Sequence, residues 1–477
     1  MDLGRSSFSM VLSKSGNALL MFGAITFFAR ALDSTQLGIF FLFFAVQGLL
    51  SIPADLGLRG ALEKRLSEGG DVETILGSAL AFKMVLLGVV SLAILAFRPW
   101  INDYLGADLA GLLIITLVLR ELGMLYIRAV RGELRVGETA PIEFARRFVW
   151  VAVGVILVTQ GFGILGIVYG LILGSAVSLI WAYAKCSIAI GSPSMVEVKS
   201  LFAFSKYDTI TSVGGEIYQW MDSAFIGFFL AAHFVSVYEI AWQITLLVIL
   251  VSRSISLTLF PQISQWNATA SNDLIEETLS NAVGFAVFVS IPAIVGSMLY
   301  STEILHYIFG PEYTVASLVL VILMIEKLFQ SFNDIVGRTV RAIDRPDLAA
   351  KATVVSVSMN LVLNPILIVS IGFVGAAIAT TISWFFNMLL HTHYLSRYIT
   401  IQIPYRLIGW YTVMSLVMGG VLLVVKSALP VTGLSLLIGQ IGLGTAIYFA
   451  AAVVVPDVRR RIVVPGLRII GIRVDWR

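Results

Sequence analysis

The sequence predicts an all-α polytopic membrane protein of fourteen transmembrane helices, arranged as two six-helix repeats plus two C-terminal helices. Three observations predict it. Apolar blocks of about 20 residues, enough to cross a ~30 Å hydrocarbon core at 1.5 Å per residue, follow one another from Phe8 to Pro456. The 477 residues are 58% hydrophobic and only 13% charged, with mean hydropathy +0.93, where a soluble domain carries roughly 25% charged residues. Positive charge alternates from one set of loops to the other.

The spans fall at 8–30, 37–57, 74–97, 108–128, 142–160, 163–184, 201–230, 236–262, 277–300, 314–336, 350–371, 373–396, 404–427 and 432–455. Runs such as 149–158 (VWVAVGVILV) lack the period-two alternation of a barrel strand, so the spans are helices. With the N-terminus inside, twenty-two Lys and Arg fall on the inner side and three on the outer side (Arg30, Arg98, Lys426). The positive-inside rule then places the chain in the cytoplasmic membrane as a multi-pass protein with both termini cytoplasmic. The inner loop 265–276, without Lys or Arg, is the weak point. The first apolar stretch, interrupted by Lys14 and Asn17, reads as a retained span rather than a signal peptide.

The domain organisation follows: an N-terminal six-helix bundle at 1–199, a second at 200–399, two further helices at 400–456 and a basic cytoplasmic tail at 457–477. An internal repeat supports the two bundles. Gly163-Ile164-Leu165-Gly166 recurs as Gly372-Phe373-Val374-Gly375, 209 residues on; Pro53 recurs as Pro261, and Arg120-Glu121-Leu122 as Glu326-Lys327-Leu328, at offsets of 208 and 206. Six spans per half put both halves in the same orientation, a repeat type found in alternating-access transporters. The tail carries six Arg and is expected to lie against anionic headgroups, a positive-inside anchor being its plainer reading.

Composition excludes several function classes. Cys186 is the one cysteine, and the four His are scattered, so neither a disulfide framework nor a metal cluster is predicted. The basic residues sit in loops rather than on one stripe, so nucleic acid is not a partner. Short loops leave no room for an inserted catalytic domain, and no nucleotide-binding motif is present. The chain is therefore read as a non-enzyme with no cofactor.

An ionisable side chain inside a span costs roughly 2.5–3.5 kcal/mol on insertion scales and marks a partner or a wet cavity. Arg146 and Arg147 are close enough to the inner surface to snorkel. Arg120/Glu121 and Glu326/Lys327 are read as ion-pair networks; adjacent residues point about 100° apart, so each is expected to find its partner on a neighbouring helix. Spans 1, 7 and 8 are the polar set, with Lys14, Lys206, Asp208, Glu216, Asp222 and Arg253. They are expected either to line water, where Lys and Arg suit an anionic headgroup, or to pack against each other without touching substrate.

The stretch 12–68, with Ala29-Arg30, Leu37-Gly38-Ile39-Phe40 and Asp55-Leu56-Gly57-Leu58, resembles the opening of the prokaryotic polysaccharide-biosynthesis flippases of the multidrug/oligosaccharidyl-lipid/polysaccharide exporter superfamily. Asp222 to Leu230 with Val237-Tyr238, and Asn360 to Asn364-Pro365 through Gly372 to Thr380, are similar to two further blocks of that family. One departure is Ser236-Val237-Tyr238, which lacks the usual Gly before the aromatic residue. The resemblance implies fourteen spans and translocation of a polyprenyl-linked (phosphate or pyrophosphate) oligosaccharide across the cytoplasmic membrane, with a tail groove on spans 13 and 14. Its implied partners are the lipid-linked saccharide, membrane lipids and glycan-assembly enzymes. Lys14 and Arg253 are the positions it carries over for the headgroup; Arg30 and Lys206 complete the expected substrate-binding set, and Asp55, Glu216 and Asp222 are the candidate coupling carboxylates. The alternatives are an ion-coupled exporter of small molecules like the MATE proteins, disfavoured by the cations of spans 1, 7 and 8; a glycan polymerase or ligase; and a non-transporting scaffold.

Overall fold

The structure, a computed structural model, describes residues 16 and 19–465 apart from residue 270, and side chains in that range apart from 206–213, 251, 258 and 272. The described residues form helices and turns with no strand. Lys14 lies outside them, and the side chain of Lys206 does too. Eleven described helices are long and apolar enough to cross a membrane, so the chain is an all-helical, multi-pass membrane protein. It divides into two compact units, Met1–Glu239 and Ile240–Arg477.

The first unit contains α1 (Leu19–Ala31), α2 (Ser34–Asp55), α3 (Leu58–Glu68), α4 (Val72–Ala96), α5 (Arg98–Leu105), α6 (Ala110–Gly132), α7 (Thr139–Thr159), α8 (Gly163–Lys185) and α9 (Met195–Phe229). Local chemistry sets the boundaries. Asp33 caps α2 by accepting from the Thr35 and Gln36 amides at 2.9 Å, and Asp71 caps α4 through Thr74 at 3.2 Å. The short helices α3 and α5 are the turns that reposition the chain between spans. Three elements fall outside the eleven although sequence places spans there: α1 is short over its described residues, α7 carries Glu143, Arg146 and Arg147, and α9 is polar along its length.

Small residues bring α8 against α7. Gly166, Gly170 and Gly174 repeat every four residues, the spacing that lets helix backbones meet in a membrane. A Cβ at Gly170 would stand 2.6 Å from the Trp150 carbonyl oxygen, and one at Gly174 would stand 2.4 Å from that of Arg146.

A surface clamp holds the α6–α7 turn. Arg135 donates to Glu138 (2.8 and 2.9 Å) and Glu133 (2.6 Å), and Lys185 pairs with Glu138 at 3.1 Å. Hydrogen bonds from Arg135, then Lys185, hold the Glu138 carboxyl well below its ordinary 4.5, at about 2. Its pKa is lower folded than unfolded, so the clamp's contribution is complete above pH 4.5 and fades as pH falls toward 2. Arg135→Gln should therefore lower the melting temperature at pH 7 and close the gap to wild type as the melt is repeated at pH 3.

Helix α10 (Ala232–Ala268) begins in the first unit and continues into the second, which holds α11 (Asn272–Ile304), α12 (Ser317–Ala342), α13 (Pro346–Ile371), α14 (Val374–Leu395), α15 (Tyr405–Ala428), α16 (Leu434–Val454) and the short α17 (Pro456–Val458). The α13–α14 hairpin is built like α7–α8. Gly372 turns the chain at φ +71, and a Cβ on Gly375 would come within 2.3 Å of the Leu367 backbone. A buried amide ladder finishes the contact: Asn364 donates to Asn360 at 2.7 Å, and Asn360 to Thr380 at 2.9 Å.

Helices α15 and α16 dock on α11 through an aromatic core of Phe288, Tyr411 and Tyr448. The Tyr300 hydroxyl donates to Gln440 at 2.8 Å, and Lys426 pairs with Glu303 at 2.5 Å. Past α16, Val458 and Ile462 are buried and Arg406 pairs with Asp457 at 2.8 Å, so the start of the expected tail is packed onto the unit. Residues 466–477 lie outside the described residues.

Candidate functional site

Charge inside the first unit centres on the end of α2. Leu56 (φ 47) and Gly57 (φ 76) take left-handed conformations that stop α2 and start α3. The reversal brings Arg59 back onto Asp55, with Nε 3.0 Å from Oδ2. Lys83 of α4, with no exposed surface, reaches Asp55 Oδ1 at 2.8 Å and Glu121 Oε2 of α6 at 2.6 Å. Arg59 Nη1 stands 3.9 Å from the other Glu121 oxygen. Two cations and two carboxylates thus form a neutral, buried quartet that ties α2, α3, α4 and α6 together. Glu121 finds its partners on neighbouring helices, as expected.

An aromatic layer adjoins these charges. Trp150 of α7 stacks on Phe40 and Phe44 of α2 (centroids 6.0 and 6.1 Å), and Phe44 meets Trp220 of α9 edge-on at 5.1 Å. The Trp220 indole donates to Glu216, one turn earlier, at 3.0 Å. Arg120 lies within the electrostatic reach of Arg59, Glu121 and Glu216, and Arg146 within that of Arg120. Nε of Arg146 is buried and has no hydrogen-bond partner among the described residues, and the same holds for Nη1 of Arg120.

The α9–α10 turn holds a second acidic group. Tyr238 donates to Asp222 at 2.5 Å, and Ser223 donates to Glu239. Asp222 and Glu239 are both buried. Ser236, which stands where the resembled family carries Gly, donates to the Ser34 and His233 carbonyls at 2.7 and 2.8 Å, so its hydroxyl ties α10 to the start of α2.

In the second unit Arg253 Nε lies 3.8 Å from Asp334, and its side chain is 48% exposed. The buried Lys327 reverses an expectation. It pairs with its own neighbour Glu326 at 2.7 Å, takes Gln330 at 3.0 Å and lies over the Trp242 ring at 5.4 Å. Four methylenes let a lysine ammonium swing back across the 100° that separates adjacent helix positions.

Of the expected substrate-binding residues, Arg30 is exposed near the end of α1 and Arg253 is half-exposed on α10; Lys14 and the Lys206 side chain lie outside the described residues. The structure gathers Asp55 into the quartet and sets Glu216 and Asp222 on α9, each holding a hydrogen bond. Arg59 was legible only as a loop charge, and Lys83 only as one more charge within a span. The one sequence signal for Arg146 is its place one helical turn before Trp150. No group of His, Cys, Asp and Glu suited to a metal occurs among the described residues.

Fold and charge together define a polytopic helical membrane protein with ionic groups held deep in each of two units. The solved structure titled "Lipid II flippase MurJ, inward closed conformation" shares that fold at TM-score 0.81 and 16% identity, over 95% of this chain and 99% of that one. The chain belongs to the family described as "Polysaccharide biosynthesis protein", which it matches over residues 27–318. It is 43% identical over 459 residues to the "Probable low-salt glycan biosynthesis flippase Agl15" of Haloferax volcanii, covering 96% of this chain and 97% of that protein. It is 30% identical over 404 residues to the "Probable flippase AglR" of the same organism, covering 83% of each.

Proposed function

We propose that the chain is a flippase that carries a polyprenyl-linked oligosaccharide, joined through phosphate or pyrophosphate, across the cytoplasmic membrane for surface polysaccharide or glycoprotein assembly. The observation that carries this reading is the near full-length 43% identity to a protein named as a glycan biosynthesis flippase. In this reading fourteen helices span the bilayer, α1 to α16 without the short α3 and α5, and both termini face the cytoplasm. Residues 1–199 and 200–399 form matched bundles that rock about a fixed site. The matched construction of the α7–α8 and α13–α14 hairpins supports the repeat. The headgroup meets Lys14, Arg30, Lys206 and Arg253, while the polyprenyl tail stays in lipid along α15 and α16. The chain performs no chemistry on its cargo and works beside glycan-assembly enzymes.

An ion gradient supplies the energy in this reading. Asp55 is held between two cations, so the coupling weight falls on Glu216, which accepts from the Trp220 indole, and Asp222, which accepts from the Tyr238 hydroxyl. That pair of carboxylates is also what an ion-coupled exporter of small molecules would need, and it is the observation favouring the second reading.

Arg253→Ala and Lys14→Ala should insert into the membrane normally yet make lipid-linked glycan accumulate on the cytoplasmic leaflet. Leaflet-resolved labelling of the glycan checks this. Normal surface glycan in both variants would reject the cationic headgroup site, and unchanged glycan with altered drug tolerance would favour the exporter.

A further inference from the structure

We propose that α5 is an interfacial anchor: its aromatic face lies in the headgroup layer of the bilayer, and through Tyr104 it pins the end of α9 to that layer. The partner is the lipid surface itself. The anchor needs only that α4 and α6 span the membrane, whatever the cargo.

Helix length places α5 at the boundary. The 25 residues of α4 rise about 37 Å, more than the ~30 Å of hydrocarbon they cross. Val85, Val89 and Leu92 form an exposed stripe on α4 that faces acyl chains, and the stripe runs up to Phe97, where α5 begins. Pro99 has no amide to extend the α4 ladder, and the chain turns along the surface before it enters α6.

Packing then fixes which way α5 faces. Ile101 and Leu105, one turn apart, are buried. One flank is closed by its own hydrogen bonds. Arg98 donates to both oxygens of Asp108 at 3.0 and 2.9 Å, and Asn102 donates to Asp108 at 2.6 Å. The Asn102 Oδ1 accepts from the Leu109 and Ala110 amides at the head of α6, at 3.1 and 2.9 Å. The other flank carries Phe97, 63% exposed, and Trp100, 61% exposed. Trp100 lies flat on Tyr104, with centroids 6.0 Å apart and planes 13° apart, so one face of the indole is covered and the other is open. Large open rings that continue a lipid-facing stripe belong at the membrane boundary, where an amphipathic helix lies in plane and an indole keeps one end apolar and the other wet.

Tyr104 carries the grip on α9. Its hydroxyl donates to the Ala224 carbonyl at 2.7 Å. Ala224 directly follows Asp222 and Ser223, which accept from Tyr238 and donate to Glu239 respectively. The gripped stretch is therefore the one that holds the acidic group of the α9–α10 turn, and interfacial aromatic residues are what set the depth of a helix end.

The test uses the full chain in phosphatidylcholine nanodiscs, with Cys186→Ala as background and single spin labels on cysteines at 92, 100 and 103. Collisions with oxygen and with a water-soluble nickel chelate locate each label. The label at 92 should lie in lipid, that at 103 in water, and that at 100 between them, with several-fold fewer nickel collisions than at 103. Equal nickel collisions at 100 and 103 overturn the anchor, because the aromatic face then looks onto water. Should the cysteine background fold poorly, brominated lipid decides on the native chain: bromine near the headgroups should quench more intensity in wild type than in Trp100→Phe, and equal losses overturn the anchor.

Hydrogen exchange reads the grip. Tyr104→Phe should raise exchange across residues 222–229 by up to about tenfold, the effect of one lost hydrogen bond. Trp100→Glu should raise it too, by drawing α5 toward water, while Asp103→Ser should leave it alone. Unchanged exchange in either Tyr104→Phe or Trp100→Glu overturns the pinning of α9.

Discussion

Replacing Lys83 by methionine should destabilise the first unit by about 3–5 kcal/mol, the cost of breaking a buried ion pair by removing one partner. The ammonium is the hub of the quartet, 2.8 Å from Asp55 and 2.6 Å from Glu121, and it has no exposed surface. Methionine fits the stem but leaves two carboxylates facing one arginine, and Arg59 reaches Glu121 only at 3.9 Å. Thermal melts of the purified protein in nanodiscs measure the loss. Charge balance predicts a rescue. Lys83→Met with Glu121→Gln restores neutrality, because Arg59 and Asp55 still pair at 3.0 Å, so the double variant should regain most of the lost stability. The coupling energy from the cycle of single and double variants isolates the pair. A double variant no more stable than Lys83→Met alone would mean that burial of the stem, not charge balance, holds the quartet.

The same quartet marks where sequence stops being informative. Lys83, like Glu121, is an ionisable residue within an expected span, and an intramembrane charge by itself requires partners. It does not say which partners, because they lie 28 and 38 residues apart and meet only once α2, α4 and α6 are packed. Arg59 was hidden for a different reason: it sits just past a span, where a positive charge already has an explanation. Glu326 and Lys327 defeated a rule about Cβ directions because a lysine stem is long enough to cancel it. Eleven of the fourteen expected spans, by contrast, coincide with helices long and apolar enough to cross a membrane, since hydropathy and helix length are local. The family-like segment 360–380 also makes sense locally: Asn360, Asn364, Gly372, Gly375 and Thr380 are the parts of one tight hairpin.

That hairpin carries the other large expected effect. Gly375→Ala places a methyl 2.3 Å from the carbonyl carbon and oxygen of Leu367 and 2.8 Å from the Ile368 nitrogen. These are backbone atoms of the facing helix, so no side chain can rotate out of the way. Either α13 and α14 separate, stretching the Asn364–Asn360–Thr380 ladder, or the turn deforms. Overpacking of this kind costs about 1–3 kcal/mol, occasionally more, and the accompanying loss of buried amide bonds places Gly375→Ala at the upper end. The counterpart, Gly166→Ala, meets Leu157 and Val158 at 3.0 to 3.1 Å, a contact that a few tenths of an ångström relieve, so its cost should be well under half. Gly372→Ala should also destabilise, by about 1–3 kcal/mol, for a backbone reason: φ +71 with ψ −158 is territory essentially reserved for glycine. Melting temperatures of the three variants, measured side by side, test the order Gly375→Ala worst and Gly166→Ala mildest. If Gly166→Ala proved the worst, the first unit's hairpin would be the tighter of the two, and the packing of α7 on α8 would have to be closer than the backbone distances place it.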